Sequence, residues 1–180
     1  GYKGVVTVYN RDFESVLTIR LSSRYISDAV VTPDSRGVYL ISPGQADGAF
    51  ENTLLYYTIS SREEPTRTIS LGSNVVLSIR SAGRCWIIGD ESLMILDSSG
   101  VITASYDYKD QYLKMGSLQG DNYAALYLSP SSSGSTGTLV TVGSDGRAYG
   151  ELALDGQTLA MAAQGKTIAV LTTNAIYTTD

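Results

Sequence analysis

One hairpin plan recurs four times along this chain, and a repeat of that length restricts the fold more than any other feature of the sequence. "VVTVYNRDFESVLTIRLS" (5–22), "TLLYYTISSREEPTRTISL" (53–71), "SLMILDSSGVITASY" (92–106) and "TLVTVGSDGRAYGELAL" (138–154) each carry an apolar, alternating strand into a polar turn, and a second, more polar strand leaves it. Alternation with a period of two is the mark of a half-buried strand. Gly100 and Gly146 fall where such a turn needs positive φ, a conformation that glycine adopts without steric cost.

The segments that flank these hairpins repeat a second plan. "YISDAVVTPDSRGVYLIS" (25–42), "NVVLSIRSAGRCWIIG" (74–89), "QYLKMGSLQGDNYAALYLS" (111–129) and "QTLAMAAQGKTIAVLTT" (157–173) are each two apolar strands around a turn containing Gly or Asp. Taking Ile26, Val75, Tyr112 and Thr158 as equivalent points gives spacings of 49, 37 and 46 residues. Four strands per period of roughly 40 to 45 residues is the signature of a β-propeller blade. Thirteen Tyr, eighteen Gly and four Pro suit short strands joined by turns, and no window of helical length carries an apolar stripe at helical spacing.

The expected class is therefore all-β: a β-propeller, or a fragment of one, with about four four-stranded antiparallel blades in this chain. With strands lettered A to D from the channel outward, the blades are expected at 4–22 (partial, C and D), 25–71, 74–106, 111–154 and 157–179 (partial, A to C), within a single propeller domain spanning 1–180. That is seventeen strands, whereas a closed four-bladed ring takes sixteen, so the tally favours a piece of a longer chain. The inner strands, such as "AMAA" at 160–163 and "AAL" at 124–126, are apolar and small, as strands squeezed between blades must be.

Charge and residue inventory exclude several functions. Of 180 residues, 13 are Lys or Arg and 18 are Asp or Glu, a net charge of −5. Without a basic run, neither nucleic acid nor an anionic membrane surface is an expected partner. No stretch approaches the roughly 18 consecutive apolar residues of a membrane span, so no membrane contact by these residues is expected. The chain has no His, which removes every catalytic arrangement with His as base and every His-ligated metal or haem. The one cysteine, Cys85, excludes an internal disulfide or a multi-cysteine metal site, and its neighbours Trp86, Ile87 and Ile88 mark it as a buried hydrophobe. No catalytic residue, cofactor or metal is assigned.

Strand order decides which loops share a face. The long insertions "PGQADGAFE" (43–51) and "PSSSGSTG" (130–137) both read as B-to-C loops, and the tyrosine-rich "SYDYKDQY" (105–112) reads as a D-to-A loop at the same end of the blades. Loops on a rigid scaffold concentrate binding residues. The expected binding face is Tyr106, Asp107, Tyr108, Lys109, Asp110 and Tyr112, because Tyr supplies contact area at low entropic cost; the competing reading is a solvated loop with a tyrosine or two packed beneath it. "DSSG" and "SDG" lack the alternating oxygen ligands and closing Glu of a calcium loop and read as turn chemistry. Asp90 and Glu91 are adjacent on a tight turn, from which paired acids diverge rather than cooperate. Ser129 to Ser133 has no Gly-x-Ser-x-Gly frame, and Trp86 reads as a packed core residue.

The order "VTVYNRDFESVLTIRLSSRYISDAVVTPDSRGVYLIS", a "SREEPTRTISL" strand, "CWIIGDESLMILDSSG" and "LYLSPSSSGSTGTLVTVGSDG" resembles a family of WD40-like or quinoprotein-like β-propeller proteins of Gram-positive Firmicutes, one with no assigned activity. The resemblance implies an extracytoplasmic, cell-surface location behind an N-terminal transmembrane helix that lies outside this sequence. The function expected is a noncatalytic interaction module that binds a protein or a cell-wall glycan through a loop face. Two other readings stand beside it: a quinoprotein-like or lyase-type enzyme with a site at the channel mouth, and a structural half-propeller that forms homo-oligomers through its terminal edge strands.

Overall fold

A computed structural model describes residues 4–60, 64–119 and 122–179. They form seventeen strands and no helix, so none is long and apolar enough to cross a membrane. A two-stranded sheet holds β1 (Gly4–Tyr9) and β2 (Ser15–Leu21). Three four-stranded sheets come next: β3 (Asp28–Val31), β4 (Gly37–Ala46), β5 (Ala49–Thr58) and β6 (Arg67–Ser70); β7 (Val76–Ala82), β8 (Arg84–Gly89), β9 (Ser92–Leu96) and β10 (Ile102–Asp107); β11 (Tyr112–Ser117), β12 (Tyr123–Ser129), β13 (Gly137–Gly143) and β14 (Ala148–Leu154). A three-stranded sheet of β15 (Thr158–Gln164), β16 (Thr167–Thr172) and β17 (Ile176–Thr179) ends the chain. Each sheet is a meander in which neighbours in sequence are neighbours in space, and three of the five are the four-stranded blade that the repeat implies.

The chain divides into two compact units, residues 1–85 with 97–101 and residues 86–96 with 102–180. In the first, Leu17 and Ile19 of β2 pack with Val38 and Leu40 of β4 and Leu55 and Tyr57 of β5. Residues 38 to 41 are all buried, so this half of β4 has no wet face, which is why it reads as a continuous apolar run rather than an alternating one. β6 is largely exposed, and its polar alternation reflects that position.

In the second unit, β12 divides its side chains between two cores. Ala124, Leu126 and Leu128 join Trp86, Ile88, Leu93 and Ile95, while Ala125 and Tyr127 turn the other way onto Ala163, Ile168 and Val170. One strand thus serves two packing layers, each large side chain contributing about 1.5–3 kcal/mol of burial.

The segment 43–51 corrects an expectation. It is not an irregular loop: β4 and β5 stay in register from Gly37↔Thr58 out to Ala46↔Ala49, and only Asp47 (φ 51°) and Gly48 (φ 80°) turn the chain. Pro43 is tolerated inside this ladder for a geometric reason. Its partner Asn52 directs both backbone groups away from β4, accepting from Leu71 N at 2.8 Å and donating to Gly72 O at 2.9 Å. The Pro43–Asn52 pair is therefore a non-hydrogen-bonded one, where the missing N–H costs nothing.

Three hairpin turns share one geometry. In Gly143–Arg147, Gly146 N donates to Gly143 O (3.0 Å) and Gly143 N to Arg147 O (2.9 Å); Asp97–Val101 repeats it with Gly100 N to Asp97 O (3.0 Å) and Asp97 N to Val101 O (2.9 Å). Gly146 and Gly100 hold φ of 77° and 79°, as the sequence leads one to expect. Asn10–Glu14 makes the same two bonds, yet the left-handed position is filled by Phe13 at φ 60°. A bulky residue there is a steric outlier, and Phe13 is 86% exposed, so no burial offsets the strain. Phe13→Gly is expected to raise stability by about 1 kcal/mol, read as a higher urea midpoint at unchanged m value; an unchanged or lower midpoint would show that the strain is absent.

Candidate functional site

In the unit of residues 1–85 and 97–101, three separated segments surround a groove of about 800 Å³. The β3–β4 turn supplies Asp34 and Arg36, β5 and β6 supply Tyr56, Thr58 and Arg67, and the hairpin turn at 97–101 supplies Ser98 and Ser99.

Each segment is fixed by its own chemistry. In the β3–β4 turn, buried Thr32 donates its hydroxyl to Asp34 Oδ1 at 2.6 Å and accepts from Gly37 N at 3.0 Å. Asp34 also accepts from Arg36 N at 3.1 Å, and Arg36 O accepts from Ile59 N at 2.9 Å, which ties the turn to the end of β5. The Thr32 hydroxyl first, then the Arg36 N–H, hold the Asp34 carboxyl below its ordinary range.

Tyr56, 9% exposed, forms the floor. Its ring crosses the backbone where Gly37 has no side chain: a Cβ there would lie 2.4 Å from Tyr56 Cε2 and 2.6 Å from Tyr57 O. Behind it lies Tyr39, 5.2 Å away between ring centroids and tilted by 38°. The Tyr39 hydroxyl, buried within the unit, reaches Asp97 O at 3.2 Å and Ser98 O at 3.4 Å, pinning the serine turn that closes the groove. Burial, and then the neighbouring Cys85, push the Tyr39 phenol upward, so it stays a donor at all working pH values. Burial pushes the Cys85 thiol up to about 12, which makes it a packing residue and not a nucleophile.

Asp97 organises that turn from within. Its Oδ1 accepts from Ser99 N (2.8 Å), Ser99 Oγ (2.7 Å) and Val101 N (3.0 Å). The Val101 N–H first and the Ser99 hydroxyl second lower its pKa, with a smaller contribution from the charge of Arg67. A carboxyl lowered in the folded state adds stability above its unfolded pKa, about 3.9, and loses it as pH falls through the folded value. Asp97→Asn is therefore expected to lose less melting temperature than the parent between about pH 5 and pH 2; equal losses would show that Asp97 gains nothing from ionisation.

The expected binding face lies in the other unit and is only partly assembled. β10 runs to Asp107, and its alternation sends Tyr106 and Tyr108 to one side and Asp107 to the other. Tyr108 is a correction: at 1% exposure it belongs to the core with Trp86 and Leu126, and Tyr106, half-buried, packs against the same cluster with its ring centroid 6.3 Å from that of Tyr108. The Tyr108 ring is therefore packed and not displayed, while Tyr106 keeps part of its surface in solvent. Asp107 accepts from Lys109 N at 2.7 Å, and Lys109 and Asp110 both take positive φ, 53° and 63°. Asp107, Asp110 and Tyr112 (50% exposed) line a hollow of about 470 Å³ with Glu91, Ser92 and Gln111; Lys109 is exposed but outside that lining. Among the described residues, no three His, Cys, Asp or Glu are grouped to hold a metal ion.

Elsewhere in that unit, Asp145 accepts from Arg147 N at 3.0 Å within its turn. The serine-rich loop at 130–136 is tied by Ser129 Oγ to Thr136 O (2.8 Å) and by the Tyr127 hydroxyl to Ser135 O (3.2 Å).

No family model matches the chain, and no curated protein does. Solved structures do. The chain is similar to KlHsv2 with loop 6CD replaced by a Gly-Ser linker (TM-score 0.60, 12% identity, 98% of this chain and 57% of that one). It is similar to the C-terminal WD40 domain of Sif2 (TM-score 0.54, 11% identity, 99% and 62%). It is also similar to BBS1N, solved in complex with ARL6DN (TM-score 0.56, 14% identity, 98% and 59%). The chain thus has the β-propeller fold and spans less than two thirds of the length of each of these structures.

Proposed function

We propose that this chain is a noncatalytic protein-docking module and that the groove floored by Tyr56 is its docking site. The observation that carries the reading is the groove itself: about 800 Å³, lined by Tyr56, by hydroxyl-bearing side chains and by the charged groups of Asp34, Arg36 and Arg67. Mixed apolar and hydrogen-bonding surface on a rigid frame is what a bound protein segment needs. Its fold supports the reading, since propeller neighbours include WD40 proteins and one solved with a protein partner. The chain has no histidine, and its groove acid, Asp34, is lowered by its own turn and so moved away from neutral pH, which supports the noncatalytic reading. An extracytoplasmic, membrane-tethered setting belongs to this proposal on the strength of the family resemblance.

The test is a selection of random dodecapeptides against the protein. Enriched peptides are expected to lose binding to Ser98→Trp, which fills the groove from an exposed position, and to keep it on Tyr112→Trp, which alters the acid-lined hollow. Absence of enrichment, or binding indifferent to Ser98→Trp, would overturn the assignment.

A further inference from the structure

Two guanidinium groups in the groove are unengaged. Arg36 on the β3–β4 turn and Arg67 at the start of β6 are exposed, both line the groove, and among the described residues neither guanidinium has an ion pair or a hydrogen bond. The carboxylates of Asp34 and Asp97 lie within their fields without forming an ion pair with them. Asp34 is held by the Thr32 hydroxyl and the Arg36 backbone N–H, and Asp97 by Ser99 and Val101. The arginines therefore retain their planar N–H forks, the donor geometry that matches a carboxylate two bonds at a time.

Placement adds selectivity. The chain carries a net charge of −5, whereas at this spot the two arginines balance the carboxylates of Asp34 and Asp97, so the groove is close to neutral on an acidic molecule. An acidic ligand is repelled by the surface at large but not here, where the arginine forks can meet it. Arg36 lies on the β3–β4 turn and Arg67 at the start of β6, so two acids on one extended ligand can each meet a fork.

We propose that Arg36 and Arg67 form a two-pronged clamp for a carboxylate-rich peptide segment of the partner protein. The proposal rests on the docking reading above and names the chemistry of its ligand.

A fluorescein-labelled hexaglutamate peptide followed by fluorescence polarisation tests it. Binding is expected at about 50 mM salt and several-fold weaker at about 300 mM, because exposed charges are screened. Arg36→Gln with Arg67→Gln should weaken it at least ten-fold, whereas Arg147→Gln, at a turn of the other unit, should leave it unchanged. Arg36→Lys with Arg67→Lys keeps the charge, loses the fork and should fall between. Circular dichroism identical to the parent establishes that each variant is folded. Absence of hexaglutamate binding at low salt, or binding that survives the double glutamine variant, overturns the clamp. If hexaglutamate fails while the peptide selection still yields binders sensitive to Ser98→Trp, the docking reading stands without the clamp; if both fail, both fall.

Discussion

Leu126→Ala is expected to lower the stability of the unit built from residues 86–96 and 102–180 by about 2–5 kcal/mol. Leu126 is 0% exposed at the centre of β12 and packs among Trp86, Ile88, Leu93 and Val140. The hole left by truncation cannot close by collapse. Gly116 beside it is already so tightly packed that a Cβ there would lie 2.8 Å from Ile88 Cδ1 and 3.7 Å from Leu126 Cδ2. Trp86 is the sole tryptophan and belongs to the same cluster, so its fluorescence during urea unfolding reports this core directly. The midpoint should fall with the slope unchanged. Leu152→Ala, at a position 42% exposed, should cost far less. Equal costs at the two positions would mean that β12 is not the packed centre of two layers.

Gly37→Ala is expected to damage both stability and the groove. The added methyl would collide with the Tyr56 ring and, less avoidably, with the Tyr57 carbonyl at 2.6 Å. Side chains can rotate away, but a backbone carbonyl in a ladder cannot, so overpacking costs of about 1–3 kcal/mol or more apply. Displacing Tyr56 also removes the floor, so peptides that bind the groove should weaken by more than Tyr112→Trp weakens them. Near-ultraviolet circular dichroism and a thermal melt would register the change. A melt within about a degree of the parent would show that β4 and β5 do not approach so closely at this point.

The blade pattern is legible in the sequence because it arises from local rules. Alternation in 138–154, a continuous apolar run at 38–41 and glycine at 100 and 146 each point to a strand or turn without knowledge of the rest of the chain. A turn that breaks its rule leaves no such trace. Nothing in the sequence marks Phe13 as occupying a glycine position; only the match between the bonds of Asn10–Glu14 and those of Asp97–Val101 reveals it.

The groove is illegible for a different reason. Asp34, Arg36, Tyr56, Arg67 and Ser98 come from three segments, and each segment alone looks like an ordinary turn or strand end. The Thr-Pro-Asp turn and the arginine opening the "RTIS" strand are the available signals, and neither is chemically unusual. The tyrosine-rich stretch stands out instead because its residues are contiguous. Extending β10 to Asp107 takes Tyr108 from display to packing and half-buries Tyr106, a consequence of the period of two that loop composition hides.

Hydrogen–deuterium exchange with and without a selected groove-binding peptide tests the docking assignment most directly. Slowed exchange at the 34–37 turn, the end of β5 and the 97–101 turn, with 106–112 unchanged, is the expected result. Protection confined to 106–112, or none at the three groove segments, would contradict it.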